Sequence, residues 1–315
     1  MTIAVLGNGA FGTALALALA RDGSNVTLWT RDAADAEAMR ANRETGRRLP
    51  GHRLPDSLSV ETRIPDAEIA LVAVPAQHQR GFLFKHADVL VGRTLISCAK
   101  GVEQGTGLGP ADVIADVIPD ARTGVLTGPS FAADIARGLP TALVLAMRDG
   151  AEDVQKALTR PTLRIYRTTD VTGAQLGGAL KNVIAIAAGI AAGAGLGDSA
   201  RASVIARGFA EISRFAAAKG ASTETIQGLS GLGDLVLTCS SEKSRNYSAG
   251  IALGRGEAPG AGTVEGIATA SAVAQEAEQL GLAMPLTQTV AQVVTGELDI
   301  RSAIATLLSR PVGKE

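Results

Sequence analysis

Residues 2–20 read TIAVLGNGAFGTALALALA. Thr2 to Leu6 is a short apolar run closed by glycine, the pattern of a strand buried on both faces of a parallel sheet. The TALALALA that ends the stretch is strongly helical. Between strand and helix stands Gly7-Asn8-Gly9-Ala10-Phe11-Gly12, a G-x-G-x-x-G spacing in the one context that gives it meaning. Gly7 permits the tight turn, Gly9 lets a pyrophosphate approach the backbone, and Gly12 lets the helix lie close to the sheet. The free N–H groups of the first helical turn then face the phosphates. A dinucleotide-binding α/β fold is the expectation.

The strand signature recurs down the chain. It returns at Asn25 to Trp29, Glu68 to Val74, Arg93 to Ala99, Arg122 to Leu126, Thr141 to Met147 and Leu163 to Tyr166, with helical patterns between most of them. Apolar strands alternating with helices predict a Rossmann-type doubly wound parallel sheet, covered on both faces. Residues 43–66, broken by Pro50, Pro55 and Pro65, read as loop. The second strand leads into Thr30-Arg31-Asp32, where a dinucleotide fold reads the adenosine ribose. An acid there favours a free 2′-hydroxyl and an arginine favours a 2′-phosphate. Both are present, so the reading leans towards NADPH and keeps NADH open. Ligands sit beyond the carboxyl ends of such strands, and three of these ends carry chemistry: Val74-Pro75, Lys100-Gly101 and Gly128-Pro129-Ser130. Lys100 can balance an anion, and Ser130 reads as the cap of the next helix.

From Asp170 the strand-like runs stop and long helical runs take over. The expected division is a dinucleotide-binding domain over 1–169 and an all-α substrate and catalytic domain over 170–315. Asp170 or Thr172 would cap the first helix of the second part. That helix carries GGALKNVIAIAAGIAAGAGLG over 177–197, uncharged from Val183 to Gly197. Lys181 stands at the mouth of this apolar run. One reading is a stem lying on the core with the ammonium in water. The other is a buried amine whose lowered pKa makes it an acid or base near neutrality. Gly189, Gly193 and Gly197 are four apart and predict a small-residue face for a closely approaching helix. GLSGLGD over 228–234 is a glycine-rich loop ending in a carboxylate, and Ser244-Arg245-Asn246 offers an arginine and two small polar donors suited to a phosphate. Gly254 to Gly262 reads as a link, and Val264-Glu265-Gly266 as the opening of a helix. Two amphipathic helices then run to near Pro311.

Composition narrows the classes. A net charge of -1 offers no field for nucleic acid or an anionic membrane, and an aromatic content of 3% offers no base-stacking platform. Cys98 and Cys239 lie far apart, which suggests a reducing compartment and neither a disulfide framework nor a zinc site. His52, His78 and His86 lack metal spacing, so no metal is expected. The apolar run after Lys181 reads as too short and too rich in Ala and Gly to span a bilayer, no signal peptide is read at the start, and the cytoplasm is the expected compartment.

Taken together, GNGAFGTALA, AKG, TGPSFA, GGALKNVIAIAAGI, LGDSARA, GLSGLGDLVLTC, SRN and TVEG closely resemble the bacterial NAD(P)-dependent glycerol-3-phosphate dehydrogenases, from residue 1 to about Pro311. The motifs around Lys181 and Asp234 are specific to that family. The resemblance implies reduction of dihydroxyacetone phosphate by NADPH or NADH, feeding glycerophospholipid synthesis, and leaves a homodimer open. It implies cofactor contacts from Gly7, Gly9, Ala10, Phe11, Gly12, Arg31, Ala132, Thr263 and Glu265. Lys100 would lie between nicotinamide and substrate, with Gly128 and Ser130 on the substrate. Lys181 would be the proton acceptor in the oxidative direction. Asn182 and Asp234 would orient Lys181 or the substrate, with Thr238 nearby. Ser244, Arg245 and Asn246 would take the phosphate, Arg245 also nearing the cofactor. Two rivals remain at this level: a ketopantoate-type or 3-hydroxyacid reductase, and a nucleotide-sensing protein without turnover.

Overall fold

The computed structural model describes residues 1–260 and 262–309. The first part alternates strand and helix: β1 (Ile3–Leu6), α1 (Ala10–Ala20), β2 (Val26–Trp29), α2 (Ala33–Asn42), β3 (Leu58–Glu61), β4 (Ile69–Val72), α3 (Ala76–Leu90) and β5 (Thr94–Ser97). It continues with α4 (Pro110–Val117), β6 (Arg122–Thr127), α5 (Ala132–Ala136), β7 (Thr141–Ala146), α6 (Glu152–Leu158) and β8 (Leu163–Thr168). The second part is helical: α7 (Val171–Gly193), α8 (Asp198–Ala218), α9 (Thr223–Gln227), α10 (Asp234–Cys239), α11 (Arg245–Gly254), α12 (Glu265–Gln279), α13 (Pro285–Thr295) and α14 (Ile300–Leu308). The expected end near Pro311 lies outside the described residues.

One eight-stranded sheet orders the strands β3-β2-β1-β4-β5-β6-β7-β8. The chain winds outward from β1 to β3 and then from β4 in the other direction. The crevice where the direction switches therefore opens at the carboxyl ends of β1 and β4, where dinucleotides bind in such folds. Every strand read from the sequence is present, and two expectations change. Residues 58–61, inside the stretch read as loop, form β3 on the sheet edge, paired in parallel with β2. Four residues of in-out alternation, flanked by prolines, are too short a pattern to stand out. The sheet is also mixed, because β7 runs antiparallel to β6 and β8 runs parallel to β7. The link from β6 to β7 holds only the five-residue α5, whereas a parallel return needs a full crossover, usually a helix.

Helix α7 is the axle of the second part. Asp170 caps it by accepting from the Gly173 N–H at 2.7 Å, and all but a few of its residues are buried. The whole helix of 23 residues, with a mean hydropathy of 1.5 over an 18-residue window, is long and apolar enough to cross a membrane by length and composition. In the fold, 89% of that apolar window is buried among the other helices. Two of the three spaced glycines work as expected. A Cβ on Gly189 would stand 2.2 Å from the Tyr247 carbonyl oxygen, and one on Gly193 2.2 Å from that of Ile251, so α11 lies backbone to backbone on α7. Gly197 takes no part: α7 ends at Gly193, and Gly197 precedes α8.

Candidate active site

Lys181 sits midway along α7 with only 6% of its surface exposed. Its Nζ donates to Asp234 Oδ1 at 2.8 Å and to Thr238 Oγ1 at 2.7 Å. The Thr238 hydroxyl donates in turn to the Asp234 carbonyl at 2.6 Å, which fixes the lone pair it offers the lysine. Asp234 opens α10 directly after a single π-helical turn, Leu229–Gly233, formed by the glycine-rich loop. Such turns are frequent at functional sites. The other carboxylate oxygen of Asp234 accepts from Lys100 Nζ at 2.7 Å, and Lys100 also donates to the Gly128 carbonyl at 2.9 Å. One buried carboxylate thus holds two ammonium groups, one from each part of the chain.

Burial dominates the electrostatics of Lys181 and pushes its pKa down to about 8 from 10.5. The attraction of Asp234 opposes that shift, and the charge of Lys100 adds to it. An ammonium has three hydrogens, and two of those on Lys181 are taken. The third is free for an oxygen brought into the site.

Asn182 is not on Lys181. Its amide donates to the Lys100 carbonyl at 2.8 Å and accepts from Asn246 at 2.9 Å, and Asn246 accepts from the Gly266 N–H at 3.0 Å. Ser244 caps α11 by accepting from the Tyr247 N–H at 3.2 Å. Arg245 and Asn246 therefore stand in the first turn of that helix, where N–H groups and dipole favour an anion. Arg245 is exposed. Ser130 departs from its expected role: it donates to the Gly128 carbonyl at 3.0 Å, and the residue at the cap of α5 is Phe131. The turn after Gly128 places Ser130 one residue too early to cap.

The glycine loop fits a dinucleotide. Gly7 has φ +129° and lies against Ala73, while Gly12 packs on the Gly7 carbonyl. A Cβ on Gly9 would meet nothing within 4 Å, which leaves open the approach a pyrophosphate needs. Gly9 caps α1 without a side chain, so the N–H groups of its first turn are uncovered. Phe11 reaches the other half of the site, with Lys100 Nζ 5.8 Å from its ring centre, a contact no motif announces. Ala132 opens α5, and Thr263 lies exposed just before α12. Glu265 opens α12 and accepts from the Ala76 N–H at the start of α3 at 3.4 Å. Arg31 is exposed, and Asp32 is occupied in capping α2. The sequence reading missed Asp35 and Arg48, both bound to Asn8 of the glycine loop. Arg48 is hidden in an arginine-rich loop with no periodic signal.

The model of the NAD-dependent glycerol-3-phosphate dehydrogenase N-terminus matches residues 2–153, and that of the C-terminus matches residues 170–305. A glycerol-3-phosphate dehydrogenase [NAD(P)+] of Ruegeria sp. (strain TM1040) is 54% identical over 322 residues, with all of both chains covered. One of Paracoccus denitrificans (strain Pd 1222) is 56% identical over 322 residues, again covering both chains fully. The crystal structure of glycerol-3-phosphate dehydrogenase from Coxiella burnetii superposes with a TM-score of 0.92 at 34% identity, over 98% of this chain and 99% of that one. A glycine loop open for a dinucleotide, a lysine pair on one carboxylate, and whole-length relatives of one kind lead to one conclusion: the chain belongs to the NAD-dependent glycerol-3-phosphate dehydrogenase family.

Proposed function

We propose that this chain reversibly reduces dihydroxyacetone phosphate to sn-glycerol 3-phosphate, using NADPH or NADH, with Lys181 as the proton donor and acceptor. The observation that carries the reading is the buried Lys181 ammonium, held by Asp234 and Thr238 with one hydrogen to spare. The residues around Gly7, Gly9 and Gly12 would hold the cofactor, whose nicotinamide supplies the hydride when bound.

The chain's own work is proton transfer and placement. Near neutral pH a lysine with a pKa of about 8 is mostly protonated. Its free hydrogen polarises the ketone oxygen and passes to it in reduction. In oxidation the neutral amine takes the hydroxyl proton. Lys100 balances the charge of Asp234 and adds a second positive group facing the substrate. Arg245, with the first turn of α11, grips the phosphate, and that remote binding energy aligns the carbonyl carbon. Ser244 and Asn246 shape this end of the site, and Gly128 and Ser130 border it beside Lys100. In the reductive direction the product supplies glycerophospholipid synthesis. The test is oxidation of NADPH and of NADH, each with dihydroxyacetone phosphate or ketopantoate at matched concentrations. Turnover with dihydroxyacetone phosphate is expected. Turnover confined to ketopantoate, or cofactor binding without turnover, would overturn the proposal.

A further inference from the structure

The sequence places the ribose-reading residues at the end of β2, as Arg31 and Asp32. In the fold, the side chain that reaches the glycine loop from there belongs to Asp35. Asp32 spends one carboxylate oxygen on the Asp35 N–H at 3.1 Å, and its other oxygen lies 4.0 Å from Arg47. The Asp35 carboxylate accepts from the side-chain amide of Asn8, the residue between Gly7 and Gly9. The oxygen of that same amide accepts from Arg48 at 3.3 Å. Asn8 is only 7% exposed, so its amide has little water to turn to, and both ends are spent on these partners. The loop over 43–54, which carries Arg48, also packs on Asp35, where a Cβ on Gly46 would stand 2.9 Å from Asp35 Oδ1. A carboxylate and a guanidinium are thus fixed on the two ends of one buried amide, next to the phosphate turn.

We propose that Asp35, held through Asn8 beside Arg48, sets the balance between NADH and NADPH, an inference that rests on the glycine loop being the dinucleotide site. A carboxylate accepts a hydrogen bond from a ribose 2′-hydroxyl and repels a 2′-phosphate, and a guanidinium does the reverse. Asn8 holds both groups at the loop, so the site accepts either cofactor and neither charge excludes one outright. Arg31 and Arg47 are exposed, and Arg47 stands 4.0 Å from Asp32. The specificity acid is thereby moved one helical turn away from the strand end.

The test measures binding as well as turnover. Wild type, Asp35→Asn, Asp35→Glu and Arg48→Ala are titrated with NADPH and NADH by nicotinamide fluorescence. AMP and adenosine 2′,5′-bisphosphate serve as competitors. Asp35→Asn is expected to move the ratio of dissociation constants towards NADPH by about tenfold, and Arg48→Ala to move it towards NADH by a similar factor. Asp35→Glu keeps the charge and stays near the wild-type ratio. The two nucleotide competitors shift in step with the cofactors. An unchanged ratio in Asp35→Asn, or an equal loss of both cofactors, overturns the proposal, the second result marking Asp35 as a mere support of the loop. If Asp35→Asn fails to fold, Asp35→Ser carries the same expectation. A wild-type protein that binds neither dinucleotide would instead sink the underlying reading of the glycine loop, and that result is distinct from a fixed ratio.

Discussion

The chemistry of Lys181 depends on where one nitrogen atom is buried. Replacing Lys181 with Ala removes the group proposed to exchange the proton. General acid–base catalysis is worth about 10²–10⁴-fold, so turnover with dihydroxyacetone phosphate should fall by at least that much. NADPH titration should give a near wild-type dissociation constant, since the hydrogen bonds of the Lys181 side chain go to Asp234 and Thr238 and not to the glycine loop. Near-normal turnover would remove Lys181 from the mechanism. The pH dependence has a defined sign. Burial lowers the pKa of Lys181 to about 8, and the proposed reduction needs the ammonium. The kcat/KM for dihydroxyacetone phosphate should therefore fall as pH rises through about 8. The kcat/KM for glycerol 3-phosphate oxidation should rise through the same range, and pH–rate profiles in both directions check this. The sequence announced the lysine by its apolar company. It left two readings open, an ammonium in water or a buried amine; burial decides the direction, and the partners that trim it, Asp234 and Lys100, arrive from 53 and 81 positions away along the chain.

Elements were legible wherever a residue pattern was long. Strand β1, the glycine loop and α1 follow directly from residues 2–20, because each needs only local chemistry. Strand β3 did not show, since four residues between prolines carry too little pattern. The reversal at β7 did not show either, since strand direction depends on how far a linker reaches rather than on the strand's own residues. The spaced glycines of α7 announced a close helix approach but not which of them would be used. At this scale Gly189→Ala is the sharp test. Its methyl would enter the space of the Tyr247 carbonyl and force α11 away. Overpacking of this kind costs about 1–3 kcal/mol, so the urea midpoint should drop with little change in slope. A variant as stable as wild type would show that α7 and α11 are free to shift.

Across the whole molecule, the site is a junction between the sheet and the helices. Lys100 comes from the end of β5, while Asp234, Lys181 and Arg245 come from three helices. The chain of bonds from the Gly266 N–H through Asn246 and Asn182 to the Lys100 carbonyl ties α12, α11 and α7 to the sheet. Asn182→Ala cuts two of these bonds. A typical net hydrogen bond is worth about 1 kcal/mol, so stability should fall by ~1–3 kcal/mol. Misplacing Lys100 should lower kcat more than it raises KM. A loss of stability with unchanged kcat would confine Asn182 to holding the parts together. This network was only half visible in the sequence: Asn182 and Asn246 stood out beside Lys181 and Arg245, but a residue's neighbours in sequence do not reveal its partners in space.

The burial of α7 also has a consequence for how the protein is made. Its covering helices α8, α11 and α12 all follow it in sequence, and α12 ends only at Gln279. During synthesis, roughly 90 residues must be added after α7 before its cover is complete, which at about 5–20 residues per second takes on the order of 5–20 s. Throughout that interval a 23-residue segment with the length and hydropathy of a membrane span is waiting on the ribosome. The nascent chain therefore carries this apolar helix without its cover after the strands of the sheet are complete and before α8, α11 and α12 exist.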